Sequence, residues 1–144
     1  MVKAKYFDEL SSREVYEILA ARAAVFVADM GMRCLDPDGV DYRALHIFDT
    51  DGERVSAYLR AFYADEERLT VSVGRVLTRT HGVGDGRRLM TEAIPLIKEM
   101  MGARQIVIHA QCHAAPFYKK FGFTPSSDVF TEEGVEHVEM RLAL

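Results

Sequence analysis

GRVLTRTHGVGDGRRLM, residues 74–90, decides how the chain is to be read. It begins within a β-branched run, LTVSVGRVLT from Leu69 to Thr78, and then sets glycines at three alternate positions, Gly82, Gly84 and Gly86. Leu89, Met90, Ala93, Ile94, Ile97 and Met101 follow at the spacing of one helical face. Strand, glycine loop and helix N-terminus are thus predicted in immediate succession. First-turn amides have no intrahelical partner, and the helix dipole adds partial positive charge there, so the combination is an anion site. Glycine suits the loop because a side chain would keep a ligand from the backbone and resist positive φ. The expected occupant is the pyrophosphate of a nucleotide-like cofactor.

The strand before the loop carries a fault in its phase. Leu69, Val71 and Val73 alternate with Thr70 and Ser72, a half-buried pattern, but Arg75 then falls on the apolar phase and Val76 on the polar one. One extra residue at Gly74-Arg75 restores the pattern, and a glycine inside a strand often marks such a bulge. A bulge there would turn the strand's last amides and carbonyls away from their neighbour and free them for a ligand.

Upstream, Val2 to Phe7 reads as a strand, and Ser11 with Glu14 forms a capping-box pattern. Val15, Ile18, Leu19, Arg22, Val25 and Phe26 share one face of the helix that follows. Arg22 is either a stem lying on the core with its head group at the edge, the preferred reading, or a charge at a site. Asp29 to Asp41 reads as a loop with turn chemistry at Asp36-Pro37-Asp38-Gly39. Its four aspartates, Asp29, Asp36, Asp38 and Asp41, are either a solvated turn, again preferred, or a patch for a cationic acceptor. Leu45 to Phe48 and Arg54 to Ala64 are strands about a turn at Thr50-Asp51-Gly52.

Downstream, Pro95 is expected to kink the helix and Gly102 to stop it. A buried strand at Gln105 to Ala110, a short helix around Pro116 to Phe121 and a hairpin through Glu132-Glu133-Gly134 complete a mixed α/β domain.

At 144 residues the chain makes one domain with room for a real core. A net charge of −4 leaves no electrostatic footprint for nucleic acid or an anionic membrane, so neither is an expected partner. Cys34 and Cys112 are too few for a disulfide framework and have no metal-ligand spacing around them, so no metal is expected. MVKAKYFDEL lacks the apolar run of a signal peptide, and a reducing cytoplasm is the expected location.

Four stretches together resemble the GNAT-type N-acetyltransferases, and within them the ElaA-like branch. They are Arg22 to Asp41 leading to Ala44-Leu45-His46; Gly74-Arg75-Val76 with HGVGDGRRLM; Ala110-Gln111 with Phe117-Tyr118-Lys119-Lys120-Phe121-Gly122-Phe123; and TEEGVEHVEM from Thr131 to Met140. A lone glycine loop is weak evidence; four motifs in the family's order are strong. The resemblance implies an α/β (α+β) fold over residues 1–144: a mixed, mostly antiparallel central sheet with a bulged fourth strand, flanked by helices on both faces. By analogy with the superfamily, a homodimer is the assembly to test.

The resemblance also implies acetyl-CoA as donor and a small-molecule or peptide primary amine as acceptor, joined by direct attack in a ternary complex. Backbone groups of Val76, Leu77 and Thr78 would pair with the pantetheine arm, and an amide of that segment would steady the oxyanion. His81, Gly82, Val83, Gly84, Asp85, Gly86 and Arg87 form the phosphate loop, with Gln111 on the pantetheine. Tyr118 matches the family tyrosine that protonates the departing thiolate.

The loop departs from the family pattern of [Arg/Gln]-x-x-Gly-x-Gly. Keeping the helix in phase puts His81 at the first position; the other alignment puts Arg79 there. Asp85 adds a carboxylate where phosphates are expected, acceptable if the side chain turns outward while its amide still donates. The base that relieves the acceptor of its proton is open among His46, His109, His113, Asp29 and Glu66, with His113 ranked first because it shares the signature of Tyr118. Two other classes remain: a CoA-binding sensor with little turnover, and a nucleotide-binding domain of another kind. The second is disfavoured because no Gly-Lys-[Ser/Thr] follows the loop.

Overall fold

The computed structural model describes residues 2–144. Strands β1 (Lys3–Tyr6), β2 (Leu45–Asp51), β3 (Arg54–Tyr63) and β4 (Thr70–Thr78) run antiparallel in chain order. Helix α2 (Asp85–Met101) then carries the chain to β5 (Gln105–Gln111), which lies parallel to β4. A parallel neighbour requires such a crossover, and the glycine loop is its first half. Helix α3 (Ala115–Lys119), β6 (Thr124–Pro125), β7 (Phe130–Glu132) and β8 (Val135–Ala143) finish the chain, with sheet order β1-β2-β3-β4-β5-β8-β6 and β7 paired to β8. The expected mostly antiparallel sheet is therefore present, and the closing hairpin turns at Glu133-Gly134 as the sequence predicts.

Helices cover both faces. On one, Leu89, Met90, Ala93, Ile97 and Met101 of α2 pack on Leu45, Ile47, Leu59, Ala61, Val71, Val73, Ile106 and Ile108. On the other, Ile18 and Ala21 of α1 (Ser12–Arg22) meet Phe48, Val55, Tyr58 and Leu77. Covered on both sides, β2 is buried from Leu45 to Asp49 rather than alternating. Ser11 caps α1 through its Oγ, which accepts from Glu14 N at 3.1 Å, and Glu14 answers on Ser11 N at 2.9 Å.

Beyond Arg22 the helix widens into a π-helical stretch, Ala23–Asp29, so Asp29 belongs to a helix end and not to the loop where it was expected. No helix among the described residues is long and apolar enough to cross a membrane.

Candidate functional site

The predicted bulge is present. Tyr58 faces Leu77 and Arg60 faces Gly74, so Leu59 alone stands opposite both Arg75 and Val76. Arg75 takes a φ of 52°, left-handed for a non-glycine residue inside a strand. The extra residue reverses the phase as required: Val76 packs on the α2 side, whereas Leu77 enters the α1-side core.

Pairing of β4 with β5 runs from Thr70–Gln105 to Val73–Ile108 and stops there, while the two strands continue to Thr78 and Gln111. A gap therefore opens inside the sheet. Arg79 N donates to Ser56 O at 2.9 Å. Antiparallel alternation then directs the amide and carbonyl of Leu77 toward β3 and those of Thr78 toward the gap. Of the three residues expected to offer backbone groups, Thr78 faces the gap, Val76 borders it beside the bulge, and Leu77 is turned to β3.

The glycine loop lies at the end of this gap. Gly82 and Gly84 have φ of 78° and 83°, and a Cβ on either would meet open space, so the need for glycine there is conformational. Gly86 is different. A Cβ built on it would lie 3.5 Å from Thr78 Cγ2 and 3.5 Å from Phe117 Cζ, so the end of β4, the start of α2 and the ring on α3 converge at this point.

Charges around the loop are largely accounted for. Arg88 bonds buried Asp49 (Nε to Oδ2, 2.9 Å) and also Asp85 (Nη2 to Oδ1, 2.9 Å). The Asp85 carboxylate is thus turned onto Arg88 while its amide stays in the first helical turn, and Arg88 is not a free cation for phosphate. Arg79 gives its Nε to Val55 O at 2.9 Å, which turns the alternative loop cation toward β3. His81, Val83 and Arg87 are exposed.

Tyr118 is 7% exposed, with Phe117 and Phe123 edge-to-face at 5.2 and 5.9 Å between ring centroids. Burial pushes its phenol up to about 12, above the ordinary value assumed from sequence. Gln111, half-buried, ends β5 opposite His137. His113 is exposed in the short turn before α3.

A histidine pair lies on the sheet face opposite α2. His109 is the first β5 residue past the last β4 pair, and its neighbours Ile108 and Ala110 enter the α2-side core, so its ring faces the other way. Its Nδ1 is 3.1 Å from Glu132 Oε1. His137 gives Nδ1–H to Val135 O at 2.8 Å and holds Nε2 3.8 Å from Glu132 Oε2. His109, one of the residues open as the base, is thus a bonded histidine at the border of the gap.

The loop after α1 overturns two expectations. Arg22 is fully buried, head group included, because Asp36 and Asp41 surround it: Nε to Asp36 Oδ2 at 2.9 Å, Nη2 to Asp36 O at 2.7 Å, Nη1 to Asp41 Oδ1 at 2.7 Å. Arg60 grips Asp38 through two 2.7 Å bonds and Asp41 at 3.0 Å, and Arg75 bonds Asp36 at 2.9 Å. Three of the four loop aspartates are thus paired with arginines and not free for a cation; Asp36 is also buried and Asp41 half-buried, while Asp38 keeps one side in solvent. His46, buried, gives Nε2–H to Asp41 O at 2.9 Å and accepts from the Tyr58 hydroxyl at 2.7 Å.

Hydrogen bonds from Arg60 hold the Asp38 carboxyl at about 2. For Asp41, burial pulls upward but the bonds and charges of Arg22 and Arg60 bring it below the usual carboxylate range. Burial lowers His46 and keeps it neutral. Sequence reading met the pieces separately, as an arginine on an apolar helix face, another on an apolar strand phase, and an aspartate-rich turn. Pairing them was the missed signal.

Residues 37–144 match the acetyltransferase (GNAT) domain family. A UPF0039 protein of Synechocystis is 34% identical, with 93% of this chain and 89% of that protein covered. Protein ElaA of Escherichia coli is 30% identical over 94% of this chain and 91% of its own, and its crystal structure superposes with a TM-score of 0.90 over 98% and 97% of the two chains. The crystal structure of an acyl-CoA N-acyltransferase from Pseudomonas aeruginosa, 26% identical, gives a TM-score of 0.91 with 99% of each chain covered.

Proposed function

The chain belongs to the GNAT acetyltransferase family, and on that footing we propose that it moves the acetyl group of acetyl-CoA to a primary amine by direct attack, with donor and acceptor bound together. One observation carries the reading: β4 leaves β5 after the Val73–Ile108 pair, and the gap leads to the N-terminus of α2. Acetyl-CoA supplies an acyl group already activated as a thioester. Thr78 offers a free strand edge to an extended, amide-bearing arm, with Val76 and Gln111 at its borders. First-turn amides of Asp85, Gly86 and Arg87, approached over Gly82 and Gly84, fit a diphosphate. Asp85 does not oppose this fit, because its carboxylate lies against Arg88.

Tyr118 is the proton donor to the departing thiolate. A phenol raised to about 12 stays protonated at neutral pH and has a proton to give. For the proton of the amine, His113 holds the signature position and His109 the geometry. With Nδ1–H given to Glu132, Nε2 of His109, which lies 3.8 Å from Glu139 Oε1, is the atom that would take the proton. We place the protein in the cytoplasm, where Cys34 and Cys112 remain thiols.

Calorimetric titration with acetyl-CoA tests the binding half of the reading, and absence of heat at millimolar ligand sinks it. Thiol release across an amine panel tests turnover; binding without release would favour the CoA-binding sensor. Tyr118→Phe is expected to slow release by about 10²-fold or more at neutral pH. An unchanged rate removes Tyr118 as the acid.

A further inference from the structure

Arg68, Arg75 and Glu133 are the non-glycine residues with positive φ among those described. Arg68 and Glu133 sit in turns, whereas Arg75 lies inside a strand. A left-handed residue in a strand bulge is usually glycine, and a glycine is available next door at Gly74, yet the chain sets the arginine there. A strained backbone of this kind persists only where its surroundings over-determine it.

The surroundings are the loop aspartates. Arg75 Nε donates to Asp36 Oδ1 at 2.9 Å, and its Nη2 donates to Asp36 O at 3.1 Å and approaches Asp38 Oδ2 at 3.5 Å. Asp36 is fixed in turn by fully buried Arg22, and Asp38 by Arg60, so the clamp rests on two arginines that cannot move into solvent. Released from the clamp, an L-residue at this position gains by relaxing out of the left-handed region. The extra residue would remain, because Val76 and Leu77 must stay on opposite faces, but the bulged backbone would shift and the strand edge beyond Val73–Ile108 would lose the aim that the clamp gives it.

We propose that Arg75, clamped by Asp36 and Asp38, is the positioning residue that fixes the bulged edge of β4 for the pantetheine arm of CoA. The proposal rests on the CoA reading above and deepens it. The aspartate loop thereby acquires a role beyond its own turn. Lying on the α1 side, it sets the geometry of the donor gap, so the two are coupled.

The test compares two ligands, CoA and its adenosine bisphosphate half, which lacks the pantetheine arm. Calorimetry of wild type, Arg75→Ala and Arg75→Gly is expected to show CoA weakened on the order of tenfold in Arg75→Ala, with the fragment unchanged. Arg75→Gly, which carries no strain at positive φ, is expected to fall between. CoA affinity within about twofold of wild type in Arg75→Ala overturns the proposal, and so does an equal loss for CoA and fragment. Where Arg75→Ala does not fold, Arg75→Gly decides on the same comparison of ligands. Wild-type protein that binds neither ligand removes the CoA reading itself, a result distinct from either.

Discussion

The glycine loop and the arginine–aspartate network are built on opposite plans. The loop works through backbone: Gly82 and Gly84 in left-handed conformation, first-turn amides of α2, side chains exposed or turned aside. The network works through side chains: Arg22, Arg60 and Arg75 against Asp36, Asp38 and Asp41, three charges of each sign, drawn from α1, β3, β4 and one loop. A backbone site tolerates varied side chains and keeps its geometry through dihedral preference. A charge network holds distant segments together, but every member depends on the others, because a buried ion that loses its partner cannot be rehydrated cheaply. On the proposed function, binding falls to the robust design and alignment of the sheet to the interdependent one.

The sharpest way to break this contrast is Arg22→Met. The substitution keeps much of the apolar stem and leaves buried Asp36 and half-buried Asp41 short of a counter-charge. A loss of about 3–5 kcal/mol is expected, a large share of a typical domain's stability. Urea denaturation would report it as a lower midpoint with an unchanged slope. A loss below about 1 kcal/mol would mean that water reaches these groups and that the network is no more demanding than a surface pair.

The two designs also differ in how far the sequence exposes them. A glycine loop is local, and seventeen consecutive residues contain its strand, its turn and its helix phase. The bulge was equally readable, since a strand that changes phase at Arg75 must carry an extra residue. Tyr118 could be located but not tuned: its upward shift comes from burial, and burial belongs to the assembled core. The network was opaque because its partners lie 14 to 39 residues apart and each looks ordinary alone. Lacking its partners, Arg22 reads as a snorkelling stem and Asp36 as a solvated turn. The partner of His109 was hidden for the same reason, since Glu132 is 23 residues away. The π-helical stretch Ala23–Asp29 left no mark in the hydrophobic pattern at all.

Acid should separate the two regions by a smaller margin. Asp38 and Asp41 titrate lower in the folded chain than in the unfolded one, so the unfolded chain takes up protons first as pH falls. Their contribution is therefore complete above the ordinary aspartate value of about 3.9 and is lost as pH falls toward the folded Asp38 value of about 2. Urea midpoints measured from neutrality downward should hold level and then drop in that window. Asp38→Asn should start lower and drop less steeply. Equal slopes for the two proteins would place the acid sensitivity outside the network.

The smallest effect should come from the loop's own carboxylate. Asp85 stands in the first turn of α2, where a negative charge suits the helix dipole but opposes a bound phosphate. Asp85→Asn keeps the amide and nearly the same shape, and Arg88 retains Asp49. Stability should fall by about 0.3–1 kcal/mol as the favourable dipole contact is lost. CoA affinity should rise by about two- to threefold, and the gain should shrink with added salt because the carboxylate and the phosphates are near the surface. A drop in affinity would reverse the assignment: it would show that Asp85 holds Arg88 in place for the loop, and that the loop too depends on a side-chain charge network.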